Sequence, residues 1–156
     1  MSKLEDIIST FRAFEGEMRL QVLLDYANRL PKPPPELMNT IGKDDAARVH
    51  ECMTPVWLWV VPGTEGEGGK TVKLFVHVGE EAPTVRGVLS VIVHAYEGAT
   101  TDEIAAMPED LIERLGLSPV LRMNRVIGLH AMIKRIKREA SAARAGASPA
   151  NPEAGR

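Results

Sequence analysis

The chain of 156 residues is long enough to bury a core and fits one domain of ordinary size. It carries 19 Lys and Arg against 21 Asp and Glu, a formal net charge of −2, so no basic surface for nucleic acid is expected. A lone cysteine cannot form an internal disulfide, the N-terminus lacks an apolar signal segment, and no apolar run approaches the roughly 20 residues that span a bilayer. We therefore expect a soluble, cytoplasmic protein with a free thiol.

The N-terminal part of the chain is predicted to be helical. Apolar residues recur at helical spacing over residues 4–13 and again over 15–29. Four prolines, Pro31 and 33–35, follow within five residues; they cannot continue a helix and predict a stiff, extended connector across the surface. Residues 36–47 carry few strong signals and are predicted to be loop, with room for a single helical turn.

The only cysteine stands immediately before the most apolar run of the sequence. Because Pro55 lacks a main-chain N–H and holds its predecessor out of the helical region, Cys52–Thr54 is predicted to be a loop that opens into a strand. That strand, Val56–Val61, is β-branched and aromatic and is expected to stop at Pro62-Gly63. A short strand over Arg48–His50 precedes the loop. A free cysteine is often a small buried apolar residue, but this one lies at the edge of a core strand.

A second strand over residues 70–79 is predicted to complete a β-hairpin, with a mobile glycine-rich turn between the strands. Strand alternation separates its apolar residues, which face the core, from its polar residues and Phe75. His77 is interpreted as a rim residue rather than a metal ligand, since no second histidine or cysteine stands beside it at ligand spacing. The predicted core face of this strand consists of Val72, Leu74, Val76 and Val78.

The C-terminal half is predicted to be helical. Residues 84–96 form an apolar run too long for one core strand, and Thr100 or Thr101 can cap a short helix over 101–106. A further short helix begins near Pro108 and ends near Gly116. A long final helix over 122–143 has one apolar face and a charged face, formed by Lys134, Arg135, Lys137 and Arg138, that we expect to be solvated. Residues 144–156 lack apolar anchors and are predicted to be a disordered tail on a single domain, residues 1–143.

With these elements in place, the sequence resembles the SufE family of sulfur-acceptor proteins, which work with cysteine desulfurases. Any one of the matching segments would be a weak signal, but their order and spacing agree along the chain. The segments are Arg29-Leu30-Pro31, Val49-His50-Glu51-Cys52 with Val56-Trp57-Leu58, Val85-Arg86-Gly87, and Arg125 with Gly128-Leu129 and Ala131-Met132-Ile133.

The resemblance implies an α+β fold in which a small antiparallel sheet packs against several helices, similar also to the IscU scaffold fold. It implies that Cys52 accepts sulfur as a persulfide, and it places Arg125, Glu81 and Arg86 near the cysteine loop as supporting or partner-binding residues. Two positions depart from the family pattern, since Glu51 replaces the usual glycine and Thr54 replaces a serine. Thr54 keeps the hydroxyl, whereas Glu51 puts a negative charge beside the thiol and is expected to lower the efficiency of transfer.

The resemblance also implies the partners, a SufS-like or CsdA-like cysteine desulfurase and a downstream iron–sulfur scaffold. No cofactor is expected on this chain, because it has no Gly-rich phosphate loop and no lysine in an apolar setting; pyridoxal phosphate would belong to the desulfurase. We expect a carrier that stimulates the desulfurase, without independent turnover. Two alternatives stay open: a regulatory adaptor that carries no sulfur, and a cysteine hydrolase in which Cys52 works with a histidine base. The candidate bases are His50, His77, His94 and His130.

Overall fold

A computed structural model describes residues 2–50, 52–66 and 69–144. Within these residues, an antiparallel pair of strands is surrounded by helices, which confirms the predicted α+β class. The elements in chain order are α1 (Lys3–Arg12), α2 (Gly16–Asn28), α3 (Pro35–Met38), a 3₁₀ turn (Asp45–Ala47), β1 (Val56–Gly66), β2 (Gly69–Val78), α4 (Pro83–Ala95), α5 (Thr101–Ala105), α6 (Leu111–Arg114), a second 3₁₀ turn (Ser118–Val120) and α7 (Met123–Arg144).

The two N-terminal helices form as predicted. Ser2 caps α1 by accepting a hydrogen bond from the Glu5 amide, and α2 begins at Gly16, whose φ of 53° suits glycine. The proline connector is extended, since Pro34 has φ −65° and ψ 156°. Its placement across the surface was wrong in part, because Pro33 is buried. Pro35 then starts α3, where a proline costs no helical hydrogen bond.

The β-hairpin is longer than predicted. β1 does not stop at Pro62-Gly63 but continues to Gly66, with a register shift between Pro62 and Glu65. Pro62 is opposite Val72, whose own amide points away from β1 and donates to the Ala99 carbonyl. A pair with this orientation exchanges no hydrogen bonds, so the missing N–H of the proline costs nothing there. The predicted mobile turn centres on residues 67–68, which lie outside the described residues.

One face of the hairpin forms the core. The predicted face of β2 is buried, and the other face is partly covered, since Trp59 is only 6% exposed. The predicted strand over Arg48–His50 is reduced to a single bridge between Arg48 and Trp57, because a 3₁₀ turn ends at Ala47 and the chain turns again at His50. The buried face consists of Val56, Leu58 and Val60 from β1 and Val72, Leu74, Val76 and Val78 from β2.

Helix α4 is packed tightly against α2 and β2 through two neighbouring residues. A Cβ on Gly87 would be 2.6 Å from the Leu23 carbonyl oxygen, so only glycine lets the helices approach this closely. Arg86 donates to the Val78 carbonyl at 2.6 Å and to the Ala27 carbonyl at 3.3 Å. The guanidinium thus joins the ends of β2 and α2, and the Arg86-Gly87 pair fixes how these three elements pack.

The C-terminal helices are close to their predicted positions, and Thr100 with Glu103 forms a capping box at α5. The predicted helix near Pro108–Gly116 is shorter, covering Leu111–Arg114. One charge on α7 was placed wrongly: Arg135 is 9% exposed and donates to the carbonyls of Ala46 and Arg48. These bonds fix α7 to the segment that leads into the cysteine loop.

Candidate functional site

The cysteine lies in a short loop that is closed at its base. The Val49 amide donates to the Val56 carbonyl at 2.8 Å, so the two ends of segment 50–55 are held together at the start of β1. The Arg48 guanidinium lies 5.0 Å from the centre of the Trp57 ring, which braces the same base. Pro55 then leads directly into β1, as the sequence predicted. The base of the loop is therefore fixed to the start of the hairpin.

The sulfur of Cys52 is packed against helix α7. The thiol is half-buried and contacts the core from the loop side. A Cβ placed on Gly128 would be 3.5 Å from the Cys52 sulfur and 3.7 Å from its Cα, so the loop packs over this glycine at the distance of an ordinary side-chain contact. Gly128 belongs to a segment that carried the family resemblance, but sequence reasoning gave it no role. A glycine in the interior of a helix was the signal that could have suggested a close approach.

A side-chain hydrogen bond fixes the loop to the same helix. The Arg125 guanidinium donates from Nη1 to the hydroxyl of Thr54, which is only 8% exposed. The structure thus brings together Cys52, Thr54 and Arg125, three of the residues predicted from the sequence. The Thr54 hydroxyl is the acceptor of this bond.

A small pocket of about 220 Å³ opens beside the thiol. Asn124, which sequence reasoning missed, contributes an amide to its wall. Met53, which lines this pocket, is 86% exposed, and Met123 and Ile127 on α7 are exposed as well, so apolar side chains that face solvent border the thiol. The described residues that line the pocket are Cys52, Met53, Thr54, Asn124 and Arg125.

The other predicted supporting residues are placed elsewhere. Glu51 lies outside the described residues. Arg86 has the structural role given above, and Glu81 is exposed in the turn between β2 and α4. Both act on His77: burial and the charge of Arg86 lower its pKa from the usual 6.5, while Glu81 raises it. Neither Glu81 nor Arg86 lines the pocket at Cys52.

The four histidines proposed as alternative bases do not line the thiol pocket either. His77 contacts the Trp57 ring, with 5.7 Å between ring centres. His94 is engaged by the Ser90 carbonyl at 2.8 Å, and the Nε2 atom of His130 lies 3.1 Å from a carboxylate oxygen of Glu113. His50 is exposed in the loop. The described residues therefore place no Cys–His pair at this site.

Neither a metal cluster nor a membrane-spanning helix is found in the described part of the chain. No group of three or more His, Cys, Asp or Glu side chains there is arranged to bind a metal ion. None of its helices combines the length and the apolar character needed to cross a membrane.

Comparison with known proteins gives consistent matches over this fold. The SufE family model, described as an Fe-S metabolism associated domain, matches residues 5–140. A SufE-like protein of Mycobacterium tuberculosis is 33% identical over 135 residues, which cover 86% of this chain and 89% of the relative. The sulfur acceptor protein CsdE of Escherichia coli is 32% identical over 134 residues, covering 85% of this chain and 84% of CsdE.

A solved structure also matches. The solution structure of a hypothetical protein from Thermus thermophilus superposes with a TM-score of 0.73 at 32% identity, and the match covers 92% of this chain and 98% of that protein. The similarity therefore extends over nearly the whole described fold, including the hairpin, the cysteine loop and α7.

Proposed function

The chain belongs to the SufE family, and from this membership we propose that it is a sulfur acceptor that takes sulfur from a cysteine desulfurase onto Cys52. The observation that carries the proposal is the position of the only thiol. It lies on a loop that is hinged at its base and fixed to α7 through the Thr54–Arg125 hydrogen bond. The name of the Escherichia coli relative, a sulfur acceptor protein, supports the same role.

The proposed step is a thiol exchange. The thiolate of Cys52 attacks the terminal sulfur of the donor's persulfide, a new S–S bond forms on Cys52, the donor's S–S bond breaks, and the donor cysteine leaves as a thiolate. The proton lost by Cys52 goes to the leaving thiolate or to solvent. The transferred sulfur keeps its oxidation level, so the step needs no oxidant or reductant. Pyridoxal phosphate, which releases the sulfur from free cysteine, belongs to the desulfurase.

Transfer of this kind requires the loop to move. In-line attack needs open space beside the sulfur, yet the Cys52 sulfur lies against α7 at Gly128. We propose that the segment from Glu51 to Thr54 swings outward when the desulfurase docks. The exposed Met53, together with Met123 and Ile127, offers an apolar border for that contact. Opening breaks the Thr54–Arg125 hydrogen bond and the contact at Gly128 but leaves the core of the fold intact, so it costs less than global unfolding.

The proposal extends to the partners and the pathway. The donor is a SufS-like or CsdA-like desulfurase, which the carrier stimulates by removing its persulfide, and the acceptor downstream is an iron–sulfur scaffold in the cytoplasm. The description of the family model as a domain associated with Fe-S metabolism supports this direction. A single cysteine does not hold a cluster, which typically needs four protein ligands, so the chain carries sulfur rather than assembling clusters.

The experiment is incubation with a cysteine desulfurase and free cysteine, followed by intact mass measurement. We expect the mass of one or more sulfur atoms to be added to the protein and lost on treatment with a reductant. Cys52→Ser should abolish the addition, while Arg122→Ala, an exposed change beside the pocket, should leave it intact. Faster desulfurase turnover without any adduct would favour the regulatory adaptor. Hydrolysis of an acyl substrate by the isolated protein would favour the cysteine hydrolase.

The gating step has its own measurement. A bulky maleimide should alkylate Cys52 slowly in the free protein and faster in the presence of a desulfurase whose catalytic cysteine has been replaced. Equal rates with and without saturating partner would exclude the outward swing while leaving the carrier role intact.

A further inference from the structure

The outer edge of β2, on the side away from β1, has a defined hydrogen-bonding orientation. The Val72 amide donates outward to Ala99, and the Val78 carbonyl accepts outward from Arg86. Main-chain groups of alternate residues in a strand point to the same side. The register of the hairpin is continuous from Val78 to Val72, so the N–H and C=O groups of Leu74 and Val76 also point outward.

These outward groups have no partner among the residues that the structure describes. No described donor or acceptor bonds to the outward side of Leu74 or Val76, although the edge is closed at both ends. At one end, Thr71 bridges Thr100, and at the other end Arg86 covers the Val78 carbonyl. The result is a short open stretch of sheet edge, bounded on both sides, with two donors and two acceptors.

A cavity of about 270 Å³ lies along this open stretch. The side chains of Leu74 and Val76 are buried in the core, so these residues face the cavity with their main chain. Its remaining walls are mostly apolar, and it is smaller than most sites for drug-sized ligands, which begin near 300 Å³. The other residues that line it are Pro31, Val72, Lys73, Phe75, Val93, His94, Tyr96, Glu97 and Gly98.

We propose that this cavity, here called the edge groove, binds a short extended peptide segment of a partner protein, which pairs with Leu74 and Val76 as an added strand. Alternating donors and acceptors at strand spacing are matched as a set by another extended main chain. An apolar side chain of that segment would fill the space between Pro31, Val93 and Tyr96. A second copy of this chain is a poor occupant, because its own β2 edge is recessed in the same groove between Pro31 and α4.

The edge groove and the thiol lie on opposite edges of the hairpin. The cysteine loop leads into β1, whose outer side is bridged by Arg48, whereas the groove follows the outer side of β2. A peptide in the groove therefore leaves the Cys52 loop free to move. Peptide binding in the edge groove does not depend on sulfur transfer, so an experiment can refute either proposal while the other stands.

The test uses the full chain and a defined probe, the acetylated and amidated peptide Thr-Val-Thr-Val-Thr. Amide hydrogen exchange of Leu74 and Val76 is followed by NMR. In the free protein both amides should exchange fast, while those of Lys73 and Phe75, which point toward β1, are protected. Millimolar peptide should slow exchange of Leu74 and Val76 by about tenfold or more. The same peptide with every residue N-methylated, so that no residue amide on either edge of the peptide can donate, should not slow this exchange.

Two groove variants and a matched control complete the test. Pro31→Trp and Val93→Lys fill the groove and should weaken peptide binding by about tenfold or more, which is about 1.4 kcal/mol. Pro119→Trp, at another exposed proline, should leave binding unchanged. Pro31→Trp should still accept sulfur on Cys52 at the normal rate, which also shows that it folds.

Three outcomes would overturn the proposal. The first is unchanged exchange of Leu74 and Val76 at millimolar peptide. The second is equal protection by the N-methylated peptide, which would mean that no strand is added. The third is protection already present in the free chain and lost on deletion of residues 148–156, which would mean that the chain's own C-terminal segment fills the groove.

Discussion

Removing the hydrogen bond between Arg125 and Thr54 should release the cysteine loop. The bond joins a guanidinium to the hydroxyl of Thr54, a residue that is 8% exposed, and a hydrogen bond to a charged group contributes about 1.5–3 kcal/mol. If the bond is made only in the closed loop, its loss should raise the open population about 10- to 100-fold. Alkylation of Cys52 by a bulky maleimide should accelerate by the same factor, provided that opening is fast compared with alkylation.

The variants for this measurement are Arg125→Ala, Thr54→Val and the double variant. Thr54→Val is the sharper of the two single changes because it removes the acceptor without changing any charge near the thiol. The double variant should be no faster than either single one, since both changes remove the same bond. Arg122→Ala removes an exposed charge just before α7 and serves as the control with an unchanged rate. Folded Arg125→Ala and Thr54→Val proteins that react at the wild-type rate would refute this account of loop closure.

Three further predictions concern stability. Gly128→Ala should raise the free energy of unfolding by about 1 kcal/mol, because the added Cβ makes ordinary contact with Cys52 and alanine favours a helix more than glycine does. Gly87→Ala should lower the free energy of unfolding by about 1–3 kcal/mol, because the added Cβ would clash with the Leu23 carbonyl. Urea denaturation of both variants checks the opposite signs. Burial lowers the pKa of His77 below 6.5, so the unfolded state binds more protons and stability should fall as pH drops through and below that value. The fall should be smaller in His77→Gln, and an identical pH profile would contradict this. Deleting Ser148 to Arg156 should leave the melting temperature and sulfur acceptance unchanged, because this segment has no large apolar side chain; a clear loss of melting temperature would show that the segment docks.

Residues in the β-hairpin show what could and could not be predicted from local sequence patterns. The apolar alternation in β2 predicted its buried face because strand geometry alone determines which residues share a face. The same local reasoning ended β1 at Pro62, since a proline usually interrupts a sheet. The structure keeps Pro62 inside the strand because its partner Val72 uses its amide toward Ala99 instead. The direction of the Val72 amide depends on the segment at Ala99, and the sequence of β1 alone does not contain that information.

The resemblance to the SufE family implied the class of fold. The sequence by itself determined the order of the helices and strands and the position of the only thiol on a loop at the start of β1. These follow from periodicity, prolines and residue type, which act over a few neighbouring residues. Only the tertiary structure decided what holds that thiol. Arg125 reaches Thr54 across 71 positions of sequence, the Cys52 sulfur packs over Gly128, and Arg135 is buried rather than solvated. The packing of α7 against the hairpin decides which groups become partners. A buried polar group is favourable only where a hydrogen-bond partner is in place, and that partner can be far away in the sequence.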